Sequence, residues 1–172
     1  MMTAVRENEA AYGARESEVK HLIKYTEDNE PVVIVTDDIL KGVPESDWVK
    51  TVKDNLKKKF SKGIPFKGKL FKVNKITRNE YTYSKDSQRL KGTYYYKDKM
   101  TASNNLDEMV FASTNYINED INHTRRDNIS EFARGTVNFL IGNRGYNAQI
   151  IVGITSSNEL LLYDIINLMP TE

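Results

Sequence analysis

Thr136–Ile166 reads TVNFLIGNRGYNAQIIVGITSSNELLLYDII, and its period decides the fold. Val137, Phe139 and Ile141 alternate with Thr136, Asn138 and Leu140, the period-2 pattern of a half-buried strand. Asn143-Arg144-Gly145 reads as a turn, Ala148, Ile150, Val152 and Ile154 alternate again, and Thr155–Asn158 is a second turn. Leu160–Ile166 is then a third strand, so the last forty or so residues predict a three-stranded antiparallel meander.

Upstream the period changes. Trp48, Val52, Leu56 and Phe60 recur every four residues as the apolar stripe of a helix that starts near Pro44, Ser46 and Asp47 and stops at Gly63. Val32-Val33-Ile34-Val35-Thr36 reads as a short early strand ending at Asp37-Asp38. Ile64–Val73 reads as a hairpin or an irregular strand, turning at Lys67-Gly68-Lys69. Thr77-Arg78-Asn79-Glu80 has the capping-box form and predicts a helix from 78 to about 90. Thr93–Met100 is tyrosine-rich and fits neither period. Asn104 or Asn105 can cap a further helix carrying Leu106, Met109, Val110 and Ile117, with Asp107 and Glu108 in its first turn. The fold class is α+β, with helices packed on a C-terminal twisted antiparallel sheet.

Residues 1–30 are polar, and Val19, Leu22 and Ile23 at helical spacing suggest a short amphipathic helix there. This stretch reads as a leader joining something upstream to a single domain over 31–172, and the abrupt ends suggest a piece of a longer polypeptide. A chain of 172 residues without cysteine holds a core large enough to fold without disulfides, as suits a reducing, cytoplasmic setting. No apolar run approaches the length that crosses a bilayer, so no membrane partner is expected.

The net charge of +1 hides an asymmetry: ten lysines and one acid, Asp54, fall between Lys50 and Lys75. Such a stretch is either a solvated helix face or the footprint of an anionic partner such as RNA, with Lys57, Lys58 and Lys59 at its centre. Tyr81, Tyr83, Tyr94, Tyr95 and Tyr96 beside Lys85, Arg89, Lys91 and Lys97 give the aromatic and basic mixture that stacks bases and holds phosphates, or that fills a core. There is no phosphate loop, no zinc-protease motif and no cysteine pair, and His21 and His123 are too few for a metal site; no metal or cofactor is expected.

Asn122-His123-Thr124-Arg125-Arg126-Asp127 is the densest chemical cluster, with Arg134 following near the first meander strand. A histidine can exchange a proton at neutral pH and arginines can hold a phosphate in two-point contact. Together they suit RNA cleavage by 2′-hydroxyl attack; equally, the segment is a polar helix-to-strand connection. Thr155 lies in a turn, where a hydroxyl is ordinary or holds a phosphate, and Tyr163 lies in a strand, where a tyrosine is usually core.

Asp127-Asn128-Ile129 through Phe132-Ala133-Arg134-Gly135, Tyr146–Gly153, Leu162–Leu168 and the upstream Val43-Pro44-x-Ser46-x-Trp48-Val49-Lys50 resemble domains of phage and mobile-element polyvalent proteins, including MuF-type head-morphogenesis fusions. Several of these are similar to the barnase–EndoU–colicin–RelE superfamily of metal-independent ribonucleases. The resemblance implies a toxin-like ribonuclease module of a larger phage-associated or polymorphic toxin protein, delivered with a particle or secretion system. RNA, including tRNA, would be its substrate, and an acidic immunity protein its inhibitor. Carried over, it points to His123, Arg125, Arg126, Arg134, Thr155 and Tyr163 as catalytic and to Lys57, Lys58, Lys59, Lys85 and Arg89 as RNA-binding. The other reading is a non-catalytic nucleic-acid- or protein-binding module of such proteins.

Overall fold

The computed structural model describes residues 23–66, 68–119, 129–155, 157 and 159–171. The meander forms the middle of a larger sheet. Its strands are β6 (Ile129–Ile141), β7 (Arg144–Thr155) and β8 (Glu159–Thr171). Buried Ala133, Val137 and Phe139 on β6 and Tyr146, Ala148, Ile150 and Val152 on β7 keep the expected alternation. The third strand does not. The register slips between Ile151 and Val152 and again between Asn147 and Gln149, and Asn167 takes a φ of 54° at the second slip. Asparagine tolerates that left-handed backbone, and the bulges let Leu160, Leu161, Leu162, Asp164, Ile165 and Leu168 all be buried on one strand.

The sheet is mixed, where the sequence predicted a purely antiparallel one. Its order is β1-β2-β6-β7-β8-β4-β3. β1 (Ile23–Tyr25) and β2 (Pro31–Val35) form a hairpin that joins β6 in parallel, with Val33 opposite Phe139. β3 (Ile64–Phe66) and β4 (Lys69–Lys72) form a second hairpin that joins β8 in parallel, with Phe71 opposite Leu160. β5 (Thr114–Glu119) pairs with the earlier part of β6. The sheet therefore begins at Ile23, inside the stretch read as leader. Ile23 is a strand residue rather than the end of a helix; Val19 and Leu22 lie outside the described residues.

The helices follow in chain order. A single 3-10 turn, Glu45–Asp47, leads into α1 (Trp48–Phe60), which buries Val52, Leu56 and Phe60 as the stripe predicted. Phe60 meets Phe71 of β4 edge-on at 5.5 Å. The helix expected from 78 to 90 is two helices, α2 (Lys75–Tyr83) and α3 (Lys85–Leu90). Asn74, not Thr77, caps the first: its Oδ1 accepts from the Thr77 backbone N–H at 2.9 Å. Ser84 breaks the run with a ψ of 161° and caps α3 by accepting from the Ser87 N–H at 3.1 Å. A serine side chain offers the backbone a partner that competes with helix continuation. Thr93–Met100, unreadable by period, is α4 (Tyr94–Ala102). It buries Tyr96, Asp98, Lys99, Met100, Thr101 and Ala102 and exposes Tyr94, so polar and apolar residues do not sort by face and no period betrays it. A 3-10 turn, Ser103–Asn105, precedes α5 (Leu106–Ala112), which has Asn105 at its cap position without a side-chain capping bond. α5 stops before Ile117, which lies on β5 and is 69% exposed.

Among the described residues no helix is long and apolar enough to cross a membrane.

Candidate functional site

The expected catalytic residues divide three ways. His123, Arg125 and Arg126 lie outside the described residues. They fall in sequence between Glu119, where β5 ends, and Ile129, where β6 begins opposite Thr155 of β7. Arg134 is half-buried on β6, opposite Ile151, and its Nη1 donates to Gln149 Oε1 at 3.2 Å. Thr155 is buried; its hydroxyl accepts from the Glu159 N–H at 3.0 Å and lies 3.1 Å from Ser157 Oγ, closing the turn. Tyr163 is on β8, with its side chain outside the described residues. Five positions along β6 separate the residue facing Thr155 from Arg134, roughly 16 Å at strand rise, so these two do not share one small site.

The basic residues also divide. Lys57 and Lys58 are exposed on α1. Lys59 turns inward: it donates to the Asn104 carbonyl and lies 3.6 Å from Asp107. Lys50, Lys53 and Lys57 are spaced to share one stripe of the helix. None of the three makes an ion pair with a carboxylate among the described residues. Lys53 Nζ sits 4.6 Å from the centre of the Tyr83 ring, itself 52% exposed at the end of α2. Tyr81 and Tyr96, by contrast, are core residues, and burial raises both phenols above their ordinary range.

Beside Tyr83 opens a cavity of about 580 Å³, lined also by Glu80, Ser84, Lys85, Asp86 and Asp164. Two of these residues, Asp86 and Asp164, belong to a cluster missed in the sequence. Lys99 is fully buried; its Nζ lies 2.9 Å from Asp164 Oδ1 and 3.8 Å from Asp86 Oδ2. Burial pushes the Asp164 carboxyl up to about 6, with the Lys99 ammonium holding it below what desolvation alone would give. Exposed Arg89 pairs with Asp86 at 3.1 Å, so it serves this cluster rather than the lysine stripe. The available signal was Asp164 itself, a lone acid inside the apolar run Leu160–Ile166. An acid placed there is paired inside or points at something polar.

Two further groups of buried charge stand among the described residues. Asp98, the neighbour of Lys99 on α4, accepts from Arg144 Nε and Nη2, both at 2.7 Å, and from the Tyr146 hydroxyl. That group adjoins a smaller cavity of about 280 Å³ whose walls include Asp37, Asp38 and Lys97. Asp107 and Glu108 are buried together at the start of α5; desolvation first, then the Asp107 carboxyl, pushes Glu108 up to about 9. Among the described residues no group of three or more histidines and acids could hold a metal ion.

The chain matches no family model, no curated protein and no solved structure.

Proposed function

We propose that this domain binds single-stranded RNA along the outer face of α1. The observation that carries the reading is the stripe Lys50, Lys53 and Lys57, without carboxylate partners among the described residues, running beside the exposed Tyr83 ring. A row of ammonium groups tracks a phosphate backbone by releasing its counterions, and an exposed aromatic gives a base a surface to stack on. An acidic inhibitor protein would meet the same face. Anisotropy titration of a fluorescent oligouridylate across a salt series tests it. Affinity should fall steeply with salt in the native protein, and Lys50→Gln/Lys53→Gln/Lys57→Gln should flatten that slope by about 0.7 per lost contact. An unchanged slope in the triple variant refutes the assignment.

A second reading is metal-independent RNA cleavage by the His123-Thr124-Arg125-Arg126 segment. It is favoured by the register that returns the chain from that segment to the sheet opposite Thr155. Incubation with total RNA in EDTA, with His123→Ala as the control, tests it. Cleavage that persists in a folded His123→Ala protein removes histidine catalysis.

A further inference from the structure

We propose that the cavity at the ends of β2 and β6 is a site for a free α-amino acid with a short side chain, its carboxylate held by Arg144 and Lys97 and its ammonium by Asp37 and Asp38; the inference is independent of the RNA-binding reading above.

The cavity follows from the parallel seam. Val35 ends β2 opposite Ile141, which ends β6. Beyond them the two segments part: β2 runs on into Thr36-Asp37-Asp38, while β6 turns at Gly142, whose φ is 58°. The cavity of about 280 Å³ has both strand ends in its lining. That volume lies at the small end for ligand pockets and suits a molecule of few heavy atoms.

The cations on its wall are held in place by other groups. Arg144 is fixed from behind: Nε and Nη2 each donate to Asp98 at 2.7 Å, and the Asp98 side chain is 3% exposed. The guanidinium carbon lies 5.7 Å from the centre of the Tyr94 ring. Asp98 does not take up Nη1, and the Arg144 side chain, 49% exposed, lines the cavity. Lys97 is half-buried, with Nζ 5.9 Å from the centre of the Trp48 ring, and makes no ion pair with a carboxylate among the described residues.

The acids are exposed and line the same cavity. Asp37 Oδ2 accepts from Asn104 Nδ2 at 3.1 Å, and Asp38 Oδ1 accepts from the Leu40 N–H at 3.3 Å. Neither acid pairs with a cation among the described residues. No ion pair closes across the cavity, so the acids and the cations stand apart with room between them.

Charge then selects the ligand. With Asp98, three carboxylates stand around two cations. A phosphate or a dicarboxylate would be repelled by Asp37 and Asp38, and a polyamine by Arg144 and Lys97. A molecule with one carboxylate and one ammonium meets both sets at once. A guanidinium edge matches a carboxylate, and an ammonium donates to aspartate oxygens. An α-amino acid carries the two groups on one carbon, and its side chain has Val35 and Ile141 to lie against.

Calorimetric titration of the whole chain with glycine, L-alanine, L-serine and L-valine tests the site. At least one of the four should bind saturably. Its N-acetyl and carboxamide derivatives, each lacking one charge, should bind at least about tenfold more weakly. Lys97→Met and Asp37→Asn/Asp38→Asn, all at side chains outside the core, should lose affinity by a similar factor while their far-UV spectra stay native. No saturable binding of any of the four, full affinity for either derivative, or full affinity in either folded variant overturns the proposal. Inorganic phosphate that binds as tightly as the amino acid also overturns it, and leaves a plain anion site.

Discussion

Asp98 and Lys99 are neighbours on α4, both buried, and they end in opposite situations. Asp98 reaches β7, where the Arg144 guanidinium and the Tyr146 hydroxyl supply it with three donors. Nothing is left over, and the Arg144 side chain, 49% exposed, keeps part of itself in water. Lys99 reaches β8 and lies between two carboxylates, and its ammonium and one oxygen of each acid are buried without a hydrogen-bond partner among the described residues. A saturated polar network fixes two elements against each other; an unsaturated one holds them by charge attraction and leaves desolvated groups short of partners. The difference teaches that burial of charge alone does not mark a site.

The largest test of that contrast is Lys99→Met. Removing the cation strands Asp164 in the core and should cost about 3–5 kcal/mol in urea denaturation. Lys99→Met/Asp164→Leu should recover most of the loss, since both charges then leave together. No recovery would show that the pair is not the unit described. Next comes the saturated side: Asp98→Asn should cost about 2 kcal/mol, and Tyr146→Phe about 1 kcal/mol, because Arg144 can rehydrate. A larger loss than in Lys99→Met would reverse the ranking of the two networks.

The pH dependence of stability sharpens the comparison with a third group. Asp164 and Glu108 both have folded values raised above their unfolded ones, to about 6 and about 9. The native state then binds more protons than the unfolded state, so stability falls as pH rises through about 4–6 for Asp164 and about 4.5–9 for Glu108. Glu108→Gln mimics the neutral acid and should remove this loss, so that between pH 7 and pH 8 alone the variant gains about 1.4 kcal/mol on the native protein. The smallest effect on stability is expected at the surface: Lys57→Gln should change it by less than about 0.5 kcal/mol while lowering RNA affinity.

How much of this was legible follows from which interactions are local. The meander showed in Thr136–Ile166 because each strand's sides differ, and α1 showed because its stripe is one-sided. The β3–β4 hairpin showed through Gly68, whose φ of 78° a turn of this kind requires. α4 did not show, because its buried face carries Asp98, Lys99 and Thr101 and its exposed end carries Tyr94, so polarity does not follow the helical period. The parallel pairings did not, because three-residue ladders between distant segments leave no local mark. The residues of the cavity beside Tyr83 are hidden for the same reason: Ser84, Asp86 and Asp164 meet only when α3 and β8 are docked. The lysine face was legible in outline, but Lys59 and Arg89 were drawn away from it by Asp107 and Asp86.

The two parallel seams also govern how the chain reaches this state. Val33 waits for Phe139, and Phe71 waits for Leu160. Each of these contacts closes a loop that spans most of the polypeptide, so the entropy of closure falls due before the sheet returns any of it. On the ribosome, both hairpins emerge long before the central strands they dock on. Their open edges are then the exposed, association-prone surface of the nascent chain, and the domain becomes whole only after β8 has cleared the exit tunnel.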